Sequence, residues 1–497
     1  MKKAWKLAVI TLAAAVVLTA AAYCVLRFGF SIDLLDRSGW SSENGQNRYL
    51  DYYGRPLVGW QTLEGERYYF EPVQGTATTG WLTLDGKDYY FNADGKLQTD
   101  WVDTDRGRFL LAADGSAIYG WHTATDGLRY LDKTQGLVTG WQELEGKLYC
   151  FDSQGLLLTG WQDLDGKHYY FGEDGAMVTG WVSRAEGRSF LGADGAAVTG
   201  WQELAEGRFL FDAEGVAHTG WYQEPGCTWI FGEDGAMVTG WLETEQGKLY
   251  LGDDGVLRTG WQEVEGKRRY FGEDGVMATG WLEQDGERFY LLEDGAMAIG
   301  RVEIDGKTNF FTSKGKYVVL VNPWNMMPED YQWTPVDVEG YEFDVSGAEA
   351  LKRMLADCRA AGYGCTINNT YRSLELQRYM WDVRIEQRMA EGMTYDEAIA
   401  FIGQSLAKVG ASEHHLGLAV DLDGSSAMEA WMDEHCWDYG FIVRYPEGTT
   451  ELTGIIYEPW HFRYVGTELA LELKELGLCM EAYMDMLTEQ AAEGENK

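Results

Sequence analysis

Two short stretches near the C-terminal end concentrate the residue types that hydrolytic chemistry needs. The first, Ser412-Glu413-His414-His415-Leu416-Gly417-Leu418-Ala419-Val420-Asp421, is a polar, glycine-containing turn leading into a strand, so His414 and Asp421 can converge on one point. The second is Tyr457-Glu458-Pro459-Trp460-His461-Phe462-Arg463-Tyr464. A catalytic zinc ion takes three protein ligands and keeps a position for water. His414, Asp421 and His461 would supply those ligands, and a mixed His, Asp and His set suits zinc better than other divalent ions. Glu458, close to His461 in the chain, can face the same water without ligating the metal, as a general base must. Alone, each stretch has a plainer explanation: a His-Asp pair in a strand and turn is usually a hydrogen bond, and Glu-x-x-His occurs by chance.

The elements that would carry these residues form a separate α+β domain starting near residue 317, where an apolar, proline-marked lead-in (Leu320-Val321-Asn322-Pro323-Trp324) follows a change of composition. Ala348 to Ala361 has helical spacing, with Leu351, Met354, Leu355 and Cys358 on one face. Gly362 and Gly364 end that helix, and Cys365-Thr366-Ile367 reads as a strand. A helix through Gln377, Tyr379, Met380 and Val383 comes next, then another from Thr394 to Leu406. Adjacent strand residues face opposite sides, so His415 is expected to pack or lie exposed rather than join His414. His122, His168, His218 and His435 have no partnering motif.

Before that domain, tryptophan follows Trp60 at a constant interval from Trp81 to Trp281, nearly always preceded by glycine, with a first, irregular copy at Gly39-Trp40 and a last one, Gly300-Arg301, that has lost its tryptophan. Such self-similarity predicts an all-β solenoid of hairpins. In the copy from Trp161 to Gly180, Gly166-Lys167 and Glu173-Asp174-Gly175 read as turns flanking Tyr169-Tyr170-Phe171. Alternation puts Tyr169 and Phe171 on one face and Tyr170 on the other, so aromatic rows pack from hairpin to hairpin. The aromatics serve as the core of a thin solenoid, or else cluster into ligand sites through cation–π contact or stacking on a sugar face.

The array resembles the choline-binding and glucan-binding repeats of Gram-positive surface proteins, through Thr179-Gly180-Trp181 and Tyr169 to Gly175, over residues 39–316. Choline-binding members usually have an aromatic before the triplet. Here Arg67, Asp88, His168 and Thr228 stand there, so attachment to a wall polymer or glycan is expected rather than choline binding. The C-terminal stretches together resemble the zinc D-alanyl-D-alanine carboxypeptidases of the vancomycin-resistance type and their L,D-carboxypeptidase and dipeptidase relatives, which carry Ser-x-His, Gly-x-Ala-x-Asp and Glu-Pro-Trp-His. That match spans residues 317–485 and includes Tyr371-Arg372-Ser373, Gly440 to Pro446 and Thr453-Gly454-Ile455. It implies His414, Asp421 and His461 as Zn2+ ligands, Glu458 as catalytic base and Arg372 as oxyanion stabiliser. The implied reaction removes the terminal D-alanine of peptidoglycan stem peptides. Gln377 and Ser412 are candidate substrate contacts, and either could equally be a helix or turn hydrogen bond. L,D-carboxypeptidase, endopeptidase and non-enzymatic surface binding are the alternatives.

Charge and the chain's N-terminal end set the context. A formal net charge of −38 over 497 residues argues against nucleic acid as a partner, since phosphate binding needs basic patches. Lys2, Lys3 and Lys6 before the apolar run from Leu7 to Leu26 predict a secretion signal or membrane anchor within residues 1–30, placing the remainder of the chain at the outer membrane face or cell wall. The cysteines match no zinc-finger spacing; Cys358 and Cys365 could oxidise or remain buried thiols. Residues 486–497 read as an acidic tail.

Overall fold

The computed structural model describes residues 36–495. The expected signal or anchor, with Cys24, lies outside them. Among the described residues no helix is long and apolar enough to cross a membrane. The chain divides into two compact units, one running to His218 with Asp234–Ala236, the other comprising Thr219–Glu233 and everything from Met237 on. The division therefore falls within the array, and the second unit contains its last repeats together with the C-terminal domain.

In the first unit the repeats are built on two-stranded hairpins, as Gly160–Leu164 with Lys167–Phe171 illustrates. Asp165 and Gly166 both have positive φ, 51° and 76°, the paired left-handed conformation of a tight hairpin turn. Trp161 stands opposite Tyr170 in register, with ring centroids 5.2 Å apart. On the other face, Tyr169 and Phe171 meet Trp141 of the preceding hairpin at 5.1 and 5.5 Å. A single hairpin cannot bury its own apolar face, and this alternation lets each borrow a wall from its neighbour. Gly175 is required at the second turn: its φ is 75°, and a Cβ there would fall 2.4 Å from the Leu157 side chain of the previous copy.

In the second unit the last hairpin, Gly300–Ile304 with Lys307–Phe311, gains a third strand, Tyr317–Val318. The array's final sheet thus runs past residue 316. Where other copies carry tryptophan, the Arg301 guanidinium pairs with Asp485 at 2.7 Å, and its backbone N–H donates to the Thr488 hydroxyl at 2.8 Å. The Ser313 backbone N–H donates to the Tyr483 hydroxyl at 3.0 Å. These partners lie on the last helix, which runs Met480–Glu495, so residues 486–495 are helical rather than a tail beyond the domain.

The C-terminal domain begins with a hairpin, β1 (Pro335–Val338) and β2 (Tyr341–Asp344), then α1 (Val345–Ala360), which Asp344 caps by accepting from the Ser346 N–H. Then come β3 (Cys365–Asn369), α2 (Leu374–Ala390) and α3 (Tyr395–Ile402), the last opened by a Thr394–Glu397 capping box and ending before Leu406. β4 (Ala419–Gly424), α4 (Ser426–His435), β5 (Phe441–Val443), β6 (His461–Tyr464), α5 (Thr467–Leu476) and α6 (Met480–Glu495) complete it. The sheet order is β3-β4-β6-β5, all antiparallel. Leu351, Met354, Leu355 and Cys358 of α1 pack against Val420 and Leu422 of β4 and Phe462 of β6. The six cysteines within the described residues are free thiols, Cys358 and Cys365 both buried.

Two arginines cross this core. The fully buried Arg444 donates to Glu413 (2.8 Å), to both oxygens of Glu481 on α6 (2.9 and 2.6 Å) and to the Val321 carbonyl (3.3 Å). Arg463 on β6 donates to the other oxygen of Glu413 and to the Val319 carbonyl (3.2 Å). Burial alone would push the Glu413 carboxyl up; Arg463 and Arg444 hold it below the ordinary glutamate range. Removing one member strands the others without water, at a cost of about 3–5 kcal/mol. Arg444→Ala should therefore lose about that much stability, read by urea titration of amide exchange in β4 and β6. A surface-pair control, Lys352→Ala, should lose no more than about 1 kcal/mol.

Candidate metal centre

Asp421 is the middle of three cross-strand neighbours. In register it faces Asn369 on β3 and His461 on β6. His414 arrives from the turn before β4, a 3-10 helix over Glu413–Leu416 closed by Gly417 at φ 66°. The Asp421 carboxylate reaches both imidazoles: Oδ2 lies 3.1 Å from His414 Nε2 and Oδ1 lies 2.9 Å from His461 Nδ1. One ligand atom from each of the three lies within 4.8 Å of the others.

Several features suit this set to a metal ion. His414 Nδ1 donates to the Thr370 carbonyl at 2.6 Å, which fixes the tautomer and leaves Nε2 free to ligate. Burial pushes His414 down against the pull of Asp421, keeping the imidazole neutral, as a ligand must be. Burial would raise the Asp421 carboxyl, but the two histidines outweigh it and hold it well below the carboxylate range. His461 Nε2 is buried without a hydrogen-bond partner. Two nitrogens and one carboxylate form a donor set suited to catalytic zinc.

Glu458 stands outside the ligand set, its Oε2 3.8 Å from His461 Nδ1. Burial first, then the nearby Asp421 charge, push its carboxyl up to about 7. A carboxyl so shifted can take and return a proton near neutral pH. Arg372 also borders Asp421, its guanidinium 3.9 Å from Oδ2. Burial lowers its pKa, yet a guanidinium stays charged in a protein.

Gln377 on α2 is fully buried; its carbonyl oxygen accepts from Arg372 at 2.9 Å and its amide donates to the Ala407 carbonyl. Ser412 is buried at the start of the ligand turn, where its carbonyl accepts from the His415 N–H at 3.1 Å. The structure thus brings His414, Asp421, His461, Glu458 and Arg372 together, with Gln377 engaged by Arg372 and the protein backbone and Ser412 joined to them through the backbone of the ligand turn.

Two further residues belong here. Asn369 Nδ2 lies 3.4 Å from Asp421 Oδ2, a contact that only the strand register reveals. His415 is buried, its Nδ1 2.7 Å from the Arg372 carbonyl, while the Arg372 N–H donates to the His414 carbonyl at 3.1 Å. Strand alternation does not apply to His415, because its segment is a 3-10 turn whose consecutive residues are all buried. His415 therefore fastens the loop that carries Arg372.

Residues 342–467 match a family model described as D-alanyl-D-alanine carboxypeptidase. Residues 158–197 and 258–302 match a choline-binding repeat, and 79–97 a cell wall binding repeat. A D-alanyl-D-alanine carboxypeptidase of Enterococcus faecalis is 35% identical over 178 residues, 34% of this chain. This chain covers 65% of that relative's length, under two thirds. A solved vancomycin-resistance D,D-pentapeptidase of the VanY type, in complex with Zn(II), is 35% identical, covering 33% of this chain and 97% of that one with a TM-score of 0.32. A second, VanYB in complex with D-alanine-D-alanine, is 35% identical, covering 34% of this chain and 96% of that one with a TM-score of 0.33. The C-terminal domain is similar to D-alanyl-D-alanine carboxypeptidases, and repeats of the choline-binding type precede it.

Asp421→Asn should abolish tight binding of added Zn2+, measured by competition with a chromophoric chelator. Asn369→Ala, which removes only an outer contact, should weaken binding by about 10–100-fold. Equal affinity in wild type and Asp421→Asn would dismiss the site.

Proposed function

We propose that this chain, whose C-terminal domain is similar to the D-alanyl-D-alanine carboxypeptidases, removes the terminal D-alanine from peptidoglycan stem peptides, held at the wall by its repeats. The observation that carries the reading is Asp421 bridging His414 and His461, with Glu458 beside them but outside the ligand set. A zinc ion held by His414, Asp421 and His461 would supply Lewis acidity and a water acidified toward neutrality.

The chain's own groups divide the remaining work. Glu458 takes the proton from the attacking water and returns it to the departing D-alanine nitrogen, a double duty that suits a carboxyl near neutrality. Arg372, braced by Gln377, presents a fixed cation to the oxyanion as the carbonyl becomes tetrahedral. Burial of the centre strengthens both interactions, because little water competes inside it. Attachment through the array keeps enzyme and polymeric substrate together, which raises the local concentration of stem peptides without tightening the active site.

Mass spectrometry of stem pentapeptide and tetrapeptide after incubation with the zinc-loaded chain tests the reading. Loss of one alanine from the pentapeptide is expected, with kcat about 10²–10⁴-fold lower in Glu458→Gln and bound zinc unchanged. Cleavage of the tetrapeptide alone would replace D,D- by L,D-specificity, and cleavage of neither would overturn the proposal. The base must be deprotonated to act, so kcat/KM should fall as pH drops. The acidic limb should lie between the ordinary carboxylate range and about 7, the bound cation drawing Glu458 down from the latter.

A further inference from the structure

The two histidines of the metal centre are held in different ways. His414 has one ring nitrogen toward Asp421 at 3.1 Å and the other donating to the Thr370 carbonyl at 2.6 Å. That second bond is the usual device for aiming a ligating imidazole. His461 has no such hold. Its Nδ1 meets Asp421 at 2.9 Å and, farther off, the Glu458 carboxylate at 3.8 Å, while its Nε2 is buried with no hydrogen-bond partner among the described residues. Whichever nitrogen takes the metal, no backbone carbonyl fixes the angle of this ring.

Two aromatic neighbours stand against it instead. The His414 imidazole lies edge-on, with centroids 4.9 Å apart and planes at 84°, but it is itself a ligand and moves with the ion it binds. The other is Tyr445, two residues beyond β5 and only 4% exposed, its ring 4.9 Å from that of His461 with planes at 44°. Tyr445 is pinned in turn by the residue before it. The guanidinium carbon of the buried Arg444 lies 5.0 Å from the Tyr445 ring centroid, a cation–π contact that strengthens away from water. The backbone of the same pair reaches both ends of the Glu458–His461 motif: the Arg444 N–H donates to the His461 carbonyl at 3.1 Å, and the Tyr445 carbonyl accepts from the Glu458 N–H at 3.2 Å. Arg444 also holds Glu413, the residue before His414. One buried arginine therefore reaches both histidines, one through Glu413 and the other through the tyrosine ring.

We propose that Tyr445 is a positioning residue of the metal centre, its ring orienting the His461 imidazole by packing where His414 is oriented by a hydrogen bond. An imidazole that turns about its own stem carries the ligating nitrogen away from the ion, and a misplacement of about 1 Å at a reacting centre can cost about 100-fold in rate. A flat, buried ring held on a guanidinium resists that turn. A flexible side chain of similar bulk fills the same space without resisting it. The inference rests on the zinc-peptidase reading and deepens it, since it assigns a role in that site to a residue outside both the ligand set and the base.

The test compares Tyr445→Phe, which keeps the ring, with Tyr445→Met, which does not, both in the full chain. Competition with a chromophoric chelator should show Zn2+ bound about 10–100-fold more weakly in Tyr445→Met, the range for lost support of a ligand, and as tightly as wild type in Tyr445→Phe. At saturating zinc, kcat on the stem pentapeptide should fall in Tyr445→Met with KM unchanged, and Tyr445→Phe should restore it. A side chain that only filled the core would lower unfolding stability and leave the zinc affinity of the folded chain as it was. That outcome in Tyr445→Met overturns the proposal, and so does an equal loss in Tyr445→Phe. If Tyr445→Met does not fold, nuclear magnetic resonance of the zinc-free wild type with labelled histidine and tyrosine decides: cross-relaxation between the Tyr445 and His461 ring protons is expected, and its absence overturns the proposal. Zinc affinity that depends on the ring, in a chain that cleaves neither stem peptide, removes the proposed reaction and upholds the positioning role. A wild type without zinc affinity overturns both.

Discussion

Glu413 is the residue on which the metal centre's geometry depends. It immediately precedes His414, is buried, and is bound on one oxygen by Arg444 and on the other by Arg463. Charges this deep persist only when every partner is present. The network therefore has one well-satisfied arrangement, and that arrangement fixes the turn carrying His414 against β6 carrying His461. Arg444 extends the constraint to Glu481 on α6, and the backbone carbonyls of Val319 and Val321 tie in the segment leaving the last repeat. Since α6 also receives Arg301 and Ser313, the final hairpin and the core that carries the candidate metal centre share one helix. In the second unit the last repeat and the C-terminal domain are therefore one packed structure.

The array obeys a different constraint. Its hairpins are too thin to hold a core, so tryptophan and the tyrosine-rich triplet act as both strand formers and mutual walls. Arginines of the array are engaged by indole faces and neighbouring carboxylates, as Arg208 is by Trp201 and Glu203.

The parts legible in sequence are those with a period or a motif. Trp81 to Trp281 declare the hairpins, and the motifs around His414, Asp421, Glu458 and His461, taken together, point to the candidate site, because ligand chemistry restricts residue type. What stays hidden depends on long-range pairing. Nothing local distinguishes Glu413, Arg444, Arg463 and Glu481 from ordinary solvated charges; only folding brings them together away from water. Asn369 joins the site through a register that includes an irregularity between Ile367 and Asn369, which no periodicity predicts. His415 escapes strand alternation because a 3-10 turn, not a strand, carries it. The helix expected to reach Leu406 stops at Ile402, since Gly403 comes next and Leu406 packs with residues of α2 and α3 from the loop.

Two imidazoles and one carboxylate holding a zinc ion, with a position left for water, is the arrangement from which the proposed chemistry derives. X-ray absorption at the zinc edge of the loaded chain reads that arrangement without an activity assay. A first shell of nitrogen and oxygen only is expected, at about 2.0–2.2 Å, four-coordinate, with an imidazole signature from two histidines. A sulfur shell at about 2.3 Å, or a spectrum unchanged when His414 and His461 are both replaced, would contradict it.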